Sequence, residues 1–333
     1  MSDQKTLFNQ GLRMKDTILF GDCRETLKNL TNSSARMCVT SPPYYGLRDY
    51  GGEKNQIGQE ESPEEYVKQM VEVFRLVRDV LTDDGTLWLN IGDSYYNYRS
   101  DGNYPKQTVS KTRQDLPQST PVRGNKLEGL KSKDLIGIPW MLAFALRADG
   151  WYLRQDIIWH KPNPMPESVK DRCTKAHEYI FLLSKSKNYF YDNEAIKEPA
   201  KDWGTRDRTN GKYHNPGSGL APHSGLTKSY PTKNKRSVWS VTKKPYKGAH
   251  FAVFPPELIE PCILAGSEVG DTILDPFMGS GTSAMVAKSL GRYYTGCELH
   301  EDYGNLIQER IQNYHPVQEV AQEPTINILD LIQ

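Results

Sequence analysis

The stretch Asp275-Pro276-Phe277-Met278-Gly279-Ser280-Gly281-Thr282 decides the fold that this sequence predicts. It lies between a short apolar run over 272–274 and a helical pattern over 283–290. Glycines at such a strand-to-helix turn let the backbone bend tightly and approach a ligand. The Gly-x-Gly-x-x-Ala spacing that begins at Gly279 is also that of dinucleotide-binding loops. The alternative is a glycine turn that holds no ligand.

Two acidic residues near this turn strengthen the prediction of a ligand. Asp275 ends the strand pattern before the turn, and Glu298 ends the strand pattern after it, where an acid can bind ribose hydroxyls. The sequence contains no Gly-Lys-Ser or Gly-Lys-Thr, which excludes a Walker phosphate loop.

The rest of the sequence alternates between apolar strand patterns and amphipathic helix patterns. Strands are predicted at 17–20, 36–40, 86–91, 152–159, 179–183, 272–274 and 293–297, and helices at 63–81, 139–146, from Pro255 and at 283–290. Ser62 is a good helix N-cap, and Glu65 completes a capping box. This alternation predicts an α/β fold, a mostly parallel sheet with helices on both faces and ligands at the carboxyl ends of its strands.

A second strand pattern ends in Thr40-Ser41-Pro42-Pro43-Tyr44-Tyr45. The two prolines fix their own φ angles and lack N–H donors, so carbonyls there are left as acceptors. The Ser41 hydroxyl is another acceptor, and Tyr44 presents an aromatic face. Acceptors beside a stacking ring suit a planar group that bears an amine, and the alternative is a rigid turn with a packed tyrosine. Gly21-Asp22 is a third strand end at the same edge.

The charges nearly cancel over the chain, with 42 Lys and Arg against 41 Asp and Glu in 333 residues. Their distribution is uneven, because 12 basic and three acidic residues lie in 197–247, whereas one basic and seven acidic residues lie in 298–333. The net charge of +9 in the first segment suits a nucleic-acid partner.

A polar stretch over 97–133 has no apolar periodicity and is predicted to be a flexible insertion.

Other features restrict the class of protein. No stretch approaches the ~20 apolar residues of a membrane helix, and the N-terminus lacks the apolar run of a signal peptide. The five cysteines are odd in number and far apart, which disfavours a disulfide scaffold and a zinc ribbon. His160, His177 and His250 lack metal-ligand spacing. We therefore expect a cytoplasmic protein with no metal and no membrane partner.

The two motifs together resemble those of the β-type amino-methyltransferases of DNA (the N4-cytosine and N6-adenine family), which use S-adenosylmethionine (SAM). The resemblance rests on Thr-Ser-Pro-Pro-Tyr at 40–44, on Asp-Pro-Phe-Met-Gly-Ser-Gly-Thr at 275–282 and on their order. It extends through 85–92, 159–166, 177–179 and 254–258 and covers most of residues 15–312. It implies a Rossmann-like SAM-dependent methyltransferase domain at 15–196 and 248–315, a basic target-recognition region at 197–247 and an acidic and apolar C-terminal tail at 316–333.

The resemblance also implies roles for individual residues. The methionine part of SAM would be held by Asp275, Phe277, Gly279 and Gly281. Pro276 and Thr282 of the same motif are further cofactor-binding residues. Glu298 would bind the ribose hydroxyls and Asp22 the adenine ring, while Phe254 and Glu257 belong to the motif that precedes the SAM loop. The catalytic site would be formed by Ser41, Pro42, Pro43 and Tyr44.

The residue at position 41 bears on the target base. Ser-Pro-Pro-Tyr is typical of enzymes that methylate the N4 amine of cytosine, whereas similar adenine-N6 enzymes usually carry Asp or Asn at the first position. We therefore expect a site-specific cytosine-N4 methyltransferase of double-stranded DNA in a bacterial or phage-infected cell, in a restriction-modification or phage-protection setting. The alternative is the same chemistry on adenine N6. The target would be flipped out, stacked on Tyr44 and held by the Ser41 hydroxyl and the Pro42 carbonyl.

Basic residues of the 197–247 region are candidates to contact DNA phosphates or base edges, namely Arg206, Arg208, Lys233, Lys235, Arg236, Lys243 and Lys244. The sequence leaves open a cognate restriction endonuclease and a homodimer as partners. Two rival functions remain. A nicotinamide-dependent oxidoreductase would leave the 40–44 motif and the basic region unexplained, and a non-catalytic DNA-binding protein would leave two intact motifs without a role.

Overall fold

The computed structural model describes residues 15–46, 56–96, 127, 129–200, 231–243 and 254–314. Its strands are β1 (Thr17–Phe20), β2 (Ala35–Thr40), β3 (Leu81–Ile91), β4 (Tyr152–His160), β5 (His177–Ser184), β6 (Glu198–Pro199), β7 (Thr232–Lys233), β8 (Val238–Ser240), β9 (Thr272–Asp275) and β10 (Tyr293–Glu298). Its helices are α1 (Cys23–Thr26), α2 (Pro63–Val80), α3 (Ile138–Ala148), α4 (Pro256–Gly266), α5 (Thr282–Ser289) and α6 (Tyr303–Asn313), with a 3-10 turn at Leu27–Asn29.

Eight strands form one sheet in the order β1-β10-β9-β2-β3-β5-β4-β8. The pairings are parallel except for those that β5 makes with β3 and β4. Within the described sheet only β5 therefore runs in the opposite direction, which confirms the prediction of a mostly parallel sheet. As a result, the carboxyl ends of the parallel strands and the amino end of β5 lie at one edge.

Helices cover both faces of the sheet, as the sequence predicts. On one face α2 and α3 pack through Tyr66, Phe74 and Leu142, and on the other face α4 and α5 pack through Ile263 and Val286. Burial of each such apolar side chain contributes roughly 1.5–3 kcal/mol. The two helical layers thus hold the sheet rigid behind its carboxyl edge.

The helix before β3 begins as predicted but ends differently. The Ser62 hydroxyl accepts a hydrogen bond from the Glu65 N–H at 3.2 Å, with Pro63 in the first turn. The predicted helix reached Leu81, and the next strand was expected from Thr86. The structure instead begins β3 at Leu81, and the register of β3 against β2 shifts near its start, where extra residues of β3 bulge from the sheet.

Several expectations lie outside the described residues. They are the insertion over 97–126, the tail over 316–333, Arg206, Arg208, Lys244 and His250. In the described part of the basic region, β8 pairs with β4 and extends the main sheet, and Trp239 is buried in the core. Among the helices that the structure describes, none has the length and apolar character that a membrane span requires.

Candidate functional site

The three predicted strand ends lie along the carboxyl edge of the sheet, in neighbouring strands. The Gly21 N–H, after β1, donates to the Glu298 carbonyl at the end of β10 at 2.8 Å. The Met278 N–H, in the glycine loop after β9, donates to the Cys297 carbonyl at 2.8 Å. Since β2 is the other neighbour of β9, the 40–44 motif begins directly beside the glycine loop.

Asp275 joins the two motifs. Its carboxylate is only 2% exposed and accepts hydrogen bonds from the Thr40 hydroxyl at 2.6 Å, the Ser283 hydroxyl at 2.5 Å and the Phe277 N–H at 3.0 Å. These donors come from the end of β2, the first turn of α5 and the glycine loop. Burial raises the pKa of Asp275 to about 6, against the effect of the three hydrogen bonds. Asp275 therefore fixes the orientation of the glycine loop from its buried side.

The conformation of the glycine loop depends on Gly281. This residue is the N-cap of α5 with φ +79°, and a Cβ there would lie 2.5 Å from a methyl carbon of Ile307. A side chain would therefore be strained and would displace α6. Arg310 of α6 donates to the carbonyl and the hydroxyl of Ser280, which fixes the loop from its other side.

Thr282 provides a test of whether the loop fits a polar ligand. Its hydroxyl oxygen is buried, the residue is 3% exposed, and the hydroxyl has no partner among the described residues. A buried hydroxyl without a partner is costly, so a ligand atom at this N-terminus of α5 would satisfy it. The loop of Gly279, Gly281 and Thr282 thus fits the carboxylate of an amino acid such as the methionine part of SAM.

Glu298 faces the same loop from β10. Its carboxylate accepts from the Gly279 N–H at 2.7 Å and from the His300 N–H at 3.0 Å. Burial raises the pKa of Glu298 to about 7, although both N–H groups favour the ionised form. The Glu298 carboxylate therefore lies beside the loop, where it could accept a hydrogen bond from a sugar hydroxyl.

Asp22 lies at the same edge but is held by Arg24. The Arg24 guanidinium donates to both carboxylate oxygens, and the Arg24 N–H donates to one of them at 2.9 Å. Burial opposes ionisation of Asp22, yet the hydrogen bonds and charge of Arg24 outweigh it and lower its pKa. Asp22 caps α1, so an adenine ring placed here would meet Arg24 and Asp22 together.

The remaining predicted SAM residues surround this loop less directly. Pro276 is buried, and Phe277 is partly buried against the core on the α2 side. Phe254 is partly buried against the core cluster that includes Met278, and Glu257 lies in the first turn of α4.

The catalytic motif leaves one proline carbonyl available. The Pro43 carbonyl accepts a hydrogen bond from the buried Tyr66 hydroxyl at 2.8 Å. Among the described residues none donates to the Pro42 carbonyl. Ser41 is partly exposed beside it. Pro42 itself is buried, and the Ser41 hydroxyl interacts with the Tyr44 hydroxyl. The role of the Pro42 carbonyl and the Ser41 hydroxyl as acceptors for an amine stays a prediction.

Tyr44 is partly buried, and its hydroxyl is anchored away from the loop. It donates to a carboxylate oxygen of Glu178 at 2.8 Å and lies 3.2 Å from the Asn90 side-chain oxygen. Glu178 also pairs with the Lys161 ammonium. Burial, and then the charge of Glu178, raise the pKa of Tyr44 well above its ordinary value. The neutral phenol is therefore retained.

The described basic candidates differ in their surroundings. Arg236 donates to Glu198 at 3.0 Å, and Lys235 lies 3.8 Å from the same carboxylate, so both charges are already paired in part. The Lys243 N–H binds the Asn163 side chain at 3.1 Å, near the end of β4. Lys233 lies in β7, which pairs with β6 in a separate two-stranded sheet. Their contact with DNA stays a prediction.

Other residues of the site were missed by the sequence interpretation. Thr40 was quoted in the motif but given no role, and Arg310, Glu178 and Lys161 were not identified as parts of the site. Only His-Glu-Tyr at 177–179 and Trp-His-Lys-Pro at 159–162 gave a signal, because both lie in stretches that share the family resemblance. Their contacts depend on the order of strands in the sheet, which local patterns do not reveal.

In the part of the chain that the structure describes, neither a metal site nor a cysteine nucleophile is evident at this edge. The described residues contain no group of three His, Cys, Asp or Glu side chains that could hold a metal ion. Cys262 of the Pro261-Cys262 pair is fully buried in α4, and burial raises the pKa of its thiol. It is therefore a core residue.

Comparison with known proteins gives consistent results. A family model described as DNA methylase, N6_N4_Mtase, matches residues 35–309. The type II methyltransferase M.SmaI of Serratia marcescens is 48% identical over 298 residues, which cover 88% of this chain and 90% of that protein. The type II methyltransferase M.Cfr9I of Citrobacter freundii is 45% identical over 313 residues, which cover 94% and 93%.

Solved structures support the fold. The chain resembles TTHA0409 of Thermus thermophilus, solved in complex with S-adenosyl-L-methionine, with a TM-score of 0.56 at 23% identity over 90% of this chain and 95% of that one. It also resembles the PvuII DNA methyltransferase (cytosine-N4-specific), with a TM-score of 0.58 at 17% identity over 92% of each chain. The predicted Rossmann-like methyltransferase fold is confirmed.

Substitution of Asp275 by Ala tests the cofactor pocket. We expect Asp275→Ala to weaken SAM binding at least about tenfold, because a buried hydrogen-bonded network of this kind is worth about 1–3 kcal/mol. Ser283→Ala removes one of the three donors and should weaken binding less. Isothermal titration calorimetry measures both, and unchanged affinity in Asp275→Ala would refute the pocket.

The raised pKa values of Asp275 and Glu298 predict how stability depends on pH. Both carboxyls titrate near 4 in the unfolded chain but at about 6 and about 7 when folded. At these two carboxyls the folded, ligand-free protein therefore binds more protons than the unfolded chain. Their contribution to stability is greatest below about pH 4 and is lost as pH rises towards 7, by on the order of 3 kcal/mol for Glu298. Glu298→Gln should flatten this fall in urea unfolding between pH 5 and 7, and an unchanged slope would contradict the assignment.

Proposed function

We propose that this chain, which belongs to the DNA methylase family N6_N4_Mtase, methylates the N4 amine of a flipped-out cytosine in double-stranded DNA. Membership of that family makes it a type II DNA methyltransferase of the N4/N6 class that uses SAM as methyl donor. The choice of cytosine N4 is the proposed part. Adenine N6 is the alternative, and the nicotinamide-dependent oxidoreductase has no support from the family match.

One contact supports methyl transfer to an amine at this site, namely the hydrogen bond from the Thr40 hydroxyl to Asp275 at 2.6 Å. Thr40 immediately precedes Ser41 and Pro42, and Asp275 immediately precedes the loop that fits the methionine part of SAM. The bond supports the proposal that the amine acceptors lie beside the methyl donor. Fixed proximity of this kind can supply about 7–11 kcal/mol of the lowering of the barrier in a group transfer.

The residues of the 40–44 motif suit an exocyclic amine. An amine within a duplex is inaccessible, so the base must leave the stack before it can react. The Pro42 carbonyl and the Ser41 hydroxyl accept hydrogen bonds from its two N–H groups, and Tyr44 stacks against the ring. Hydrogen bonds of this kind draw the nitrogen lone pair out of conjugation and direct it towards the methyl group, which SAM supplies on a positively charged sulfur.

Ser41 favours cytosine over adenine. A hydroxyl is a shorter and weaker acceptor than the Asp or Asn side chain that similar adenine enzymes usually carry at this position. The Pro43 carbonyl is occupied by Tyr66, so Ser41 and Pro42 supply the acceptors of the motif. The site thus offers a compact pair of acceptors, which we assign to the N4 amine.

Restriction-modification is the proposed setting. Relatives at 45–48% identity are named type II methyltransferases, and such enzymes protect DNA from a cognate endonuclease. DNA from cells that express the chain should then resist one endonuclease whose site matches the methylated positions. A homodimer and a cytoplasmic location stay predictions from the sequence.

The target base is tested by nucleoside mass spectrometry. After incubation of the protein with DNA and SAM, we expect N4-methylcytosine and no N6-methyladenine in the digested DNA. N6-methyladenine alone would contradict the cytosine assignment and leave the family assignment intact. Absence of both modified bases on DNA of diverse sequence would contradict the proposed function as a whole.

Tyr44 is tested by truncation. Tyr44→Ala should lower turnover about ten- to a hundredfold, because stacking on an aromatic ring stabilises a base by about 1–3 kcal/mol and fixes its orientation. SAM affinity should stay within about twofold, since the ring lies outside the glycine loop. Methyl transfer and calorimetry provide the two readouts, and wild-type turnover would remove Tyr44 from the site.

A further inference from the structure

Three side chains form a chain of contacts beside the catalytic motif. The Tyr44 hydroxyl donates to one carboxylate oxygen of Glu178 at 2.8 Å, and the other oxygen binds the Lys161 ammonium. Tyr44 follows β2, Glu178 lies in β5, and Lys161 follows β4. The contacts therefore tie the catalytic motif to the strands on the far side of β3.

Lys161 is unusual because its charged side chain is almost fully buried. It is 7% exposed, its ammonium lies 4.3 Å from the centroid of the Trp159 ring, and burial lowers its pKa although Glu178 opposes the shift. Burial of an ion pair costs several kcal/mol of desolvation and often gives no net stability. The pair therefore calls for an explanation other than stability.

Strand pairing does not supply that explanation. β4 and β5 are already joined by backbone pairing from Tyr152 with Ser184 to His160 with His177. The ion pair lies at the end of this ladder, at the edge that carries the site. Of the contacts that the pair makes, the one with the Tyr44 hydroxyl reaches the 40–44 motif.

The ring of Tyr44 is confined by the backbone as well. A Cβ on Gly92 would lie 2.7 Å from Cε2 of Tyr44 and 3.3 Å from the carboxyl carbon of Glu178. The ring and the carboxylate thus lie against the main chain just after β3, in space that only a glycine leaves open. The hydroxyl anchor and this contact together fix the orientation of the ring.

We propose that Glu178 and Lys161 are positioning residues that hold the Tyr44 ring in the orientation needed to stack on the target base. The role rests on the proposed function, because it assumes that Tyr44 stacks on a flipped base. Lys161 fixes the Glu178 carboxylate, Glu178 accepts from the Tyr44 hydroxyl, and the ring is ready before DNA arrives. Such preorganisation acts on turnover rather than on SAM binding.

A double-mutant cycle tests the role. Lys161→Met with Glu178→Leu replaces the ion pair by apolar side chains without leaving either charge unpaired, a change that folded proteins commonly tolerate. Tyr44→Phe removes only the hydroxyl. Methyl groups transferred to DNA are counted under single turnover on either base, so an error in the base assignment leaves the cycle readable.

The apolar pair and Tyr44→Phe should each lower the transfer rate about tenfold, with SAM affinity within about twofold of wild type. The triple variant should be no slower than Tyr44→Phe, because both changes remove the same constraint. A wild-type rate in the apolar pair, or losses that multiply to about a hundredfold in the triple variant, would overturn the proposal. Should the apolar pair fail to fold, a wild-type rate in Tyr44→Phe alone would also overturn it.

Asp271→Asn serves as the matched control. Asp271 pairs with Arg36 at 3.1 Å at the opposite edge of the same sheet, so its loss should lower the unfolding temperature and leave the transfer rate unchanged. An equal rate loss in this control would show that the variants act through stability and would also overturn the positioning role. A wild-type chain that transfers no methyl group to DNA would instead contradict the proposed function.

Discussion

The site depends on the hydrogen bonds that the buried carboxylate of Asp275 accepts. It accepts hydrogen bonds from Thr40, Ser283 and the Phe277 N–H, which belong to three separate elements of the fold. Burial of a carboxylate is unfavourable unless its oxygens are satisfied. The three donors therefore have to stay in place, and the glycine loop, the start of α5 and the catalytic motif are held in one geometry.

The order of strands extends this arrangement along the sheet. β9, β2 and β3 are neighbours, and β5 enters antiparallel beside β3. The carboxyl ends of the parallel strands and the amino end of β5 therefore share an edge, with the glycine loop at one side and Glu178 and Lys161 at the other. The catalytic motif lies between them, in contact with both through Thr40 and Tyr44.

Local patterns in the sequence were enough to predict much of this. Strand ends at Asp275, Glu298 and Ser41 are marked by glycine, acid and proline, and a parallel sheet brings such ends to one edge. The capping residues Ser62 and Glu65 likewise predicted the start of α2. Pairings between strands distant in the chain were not predictable, so the Thr40–Asp275 bond, the Arg24–Asp22 pair and the Tyr44–Glu178–Lys161 contacts emerged only from the structure.

The most direct test of the account is a crystal structure with S-adenosylhomocysteine and a DNA duplex that contains the methylated site. We expect the cofactor product against Gly279, Gly281 and Glu298, and a flipped cytosine on Tyr44 with its N4 amine bound by Ser41 and the Pro42 carbonyl. The amine should face the sulfur along the line of methyl transfer. A target base held away from Tyr44, or a cofactor bound away from the glycine loop, would contradict this account of the site.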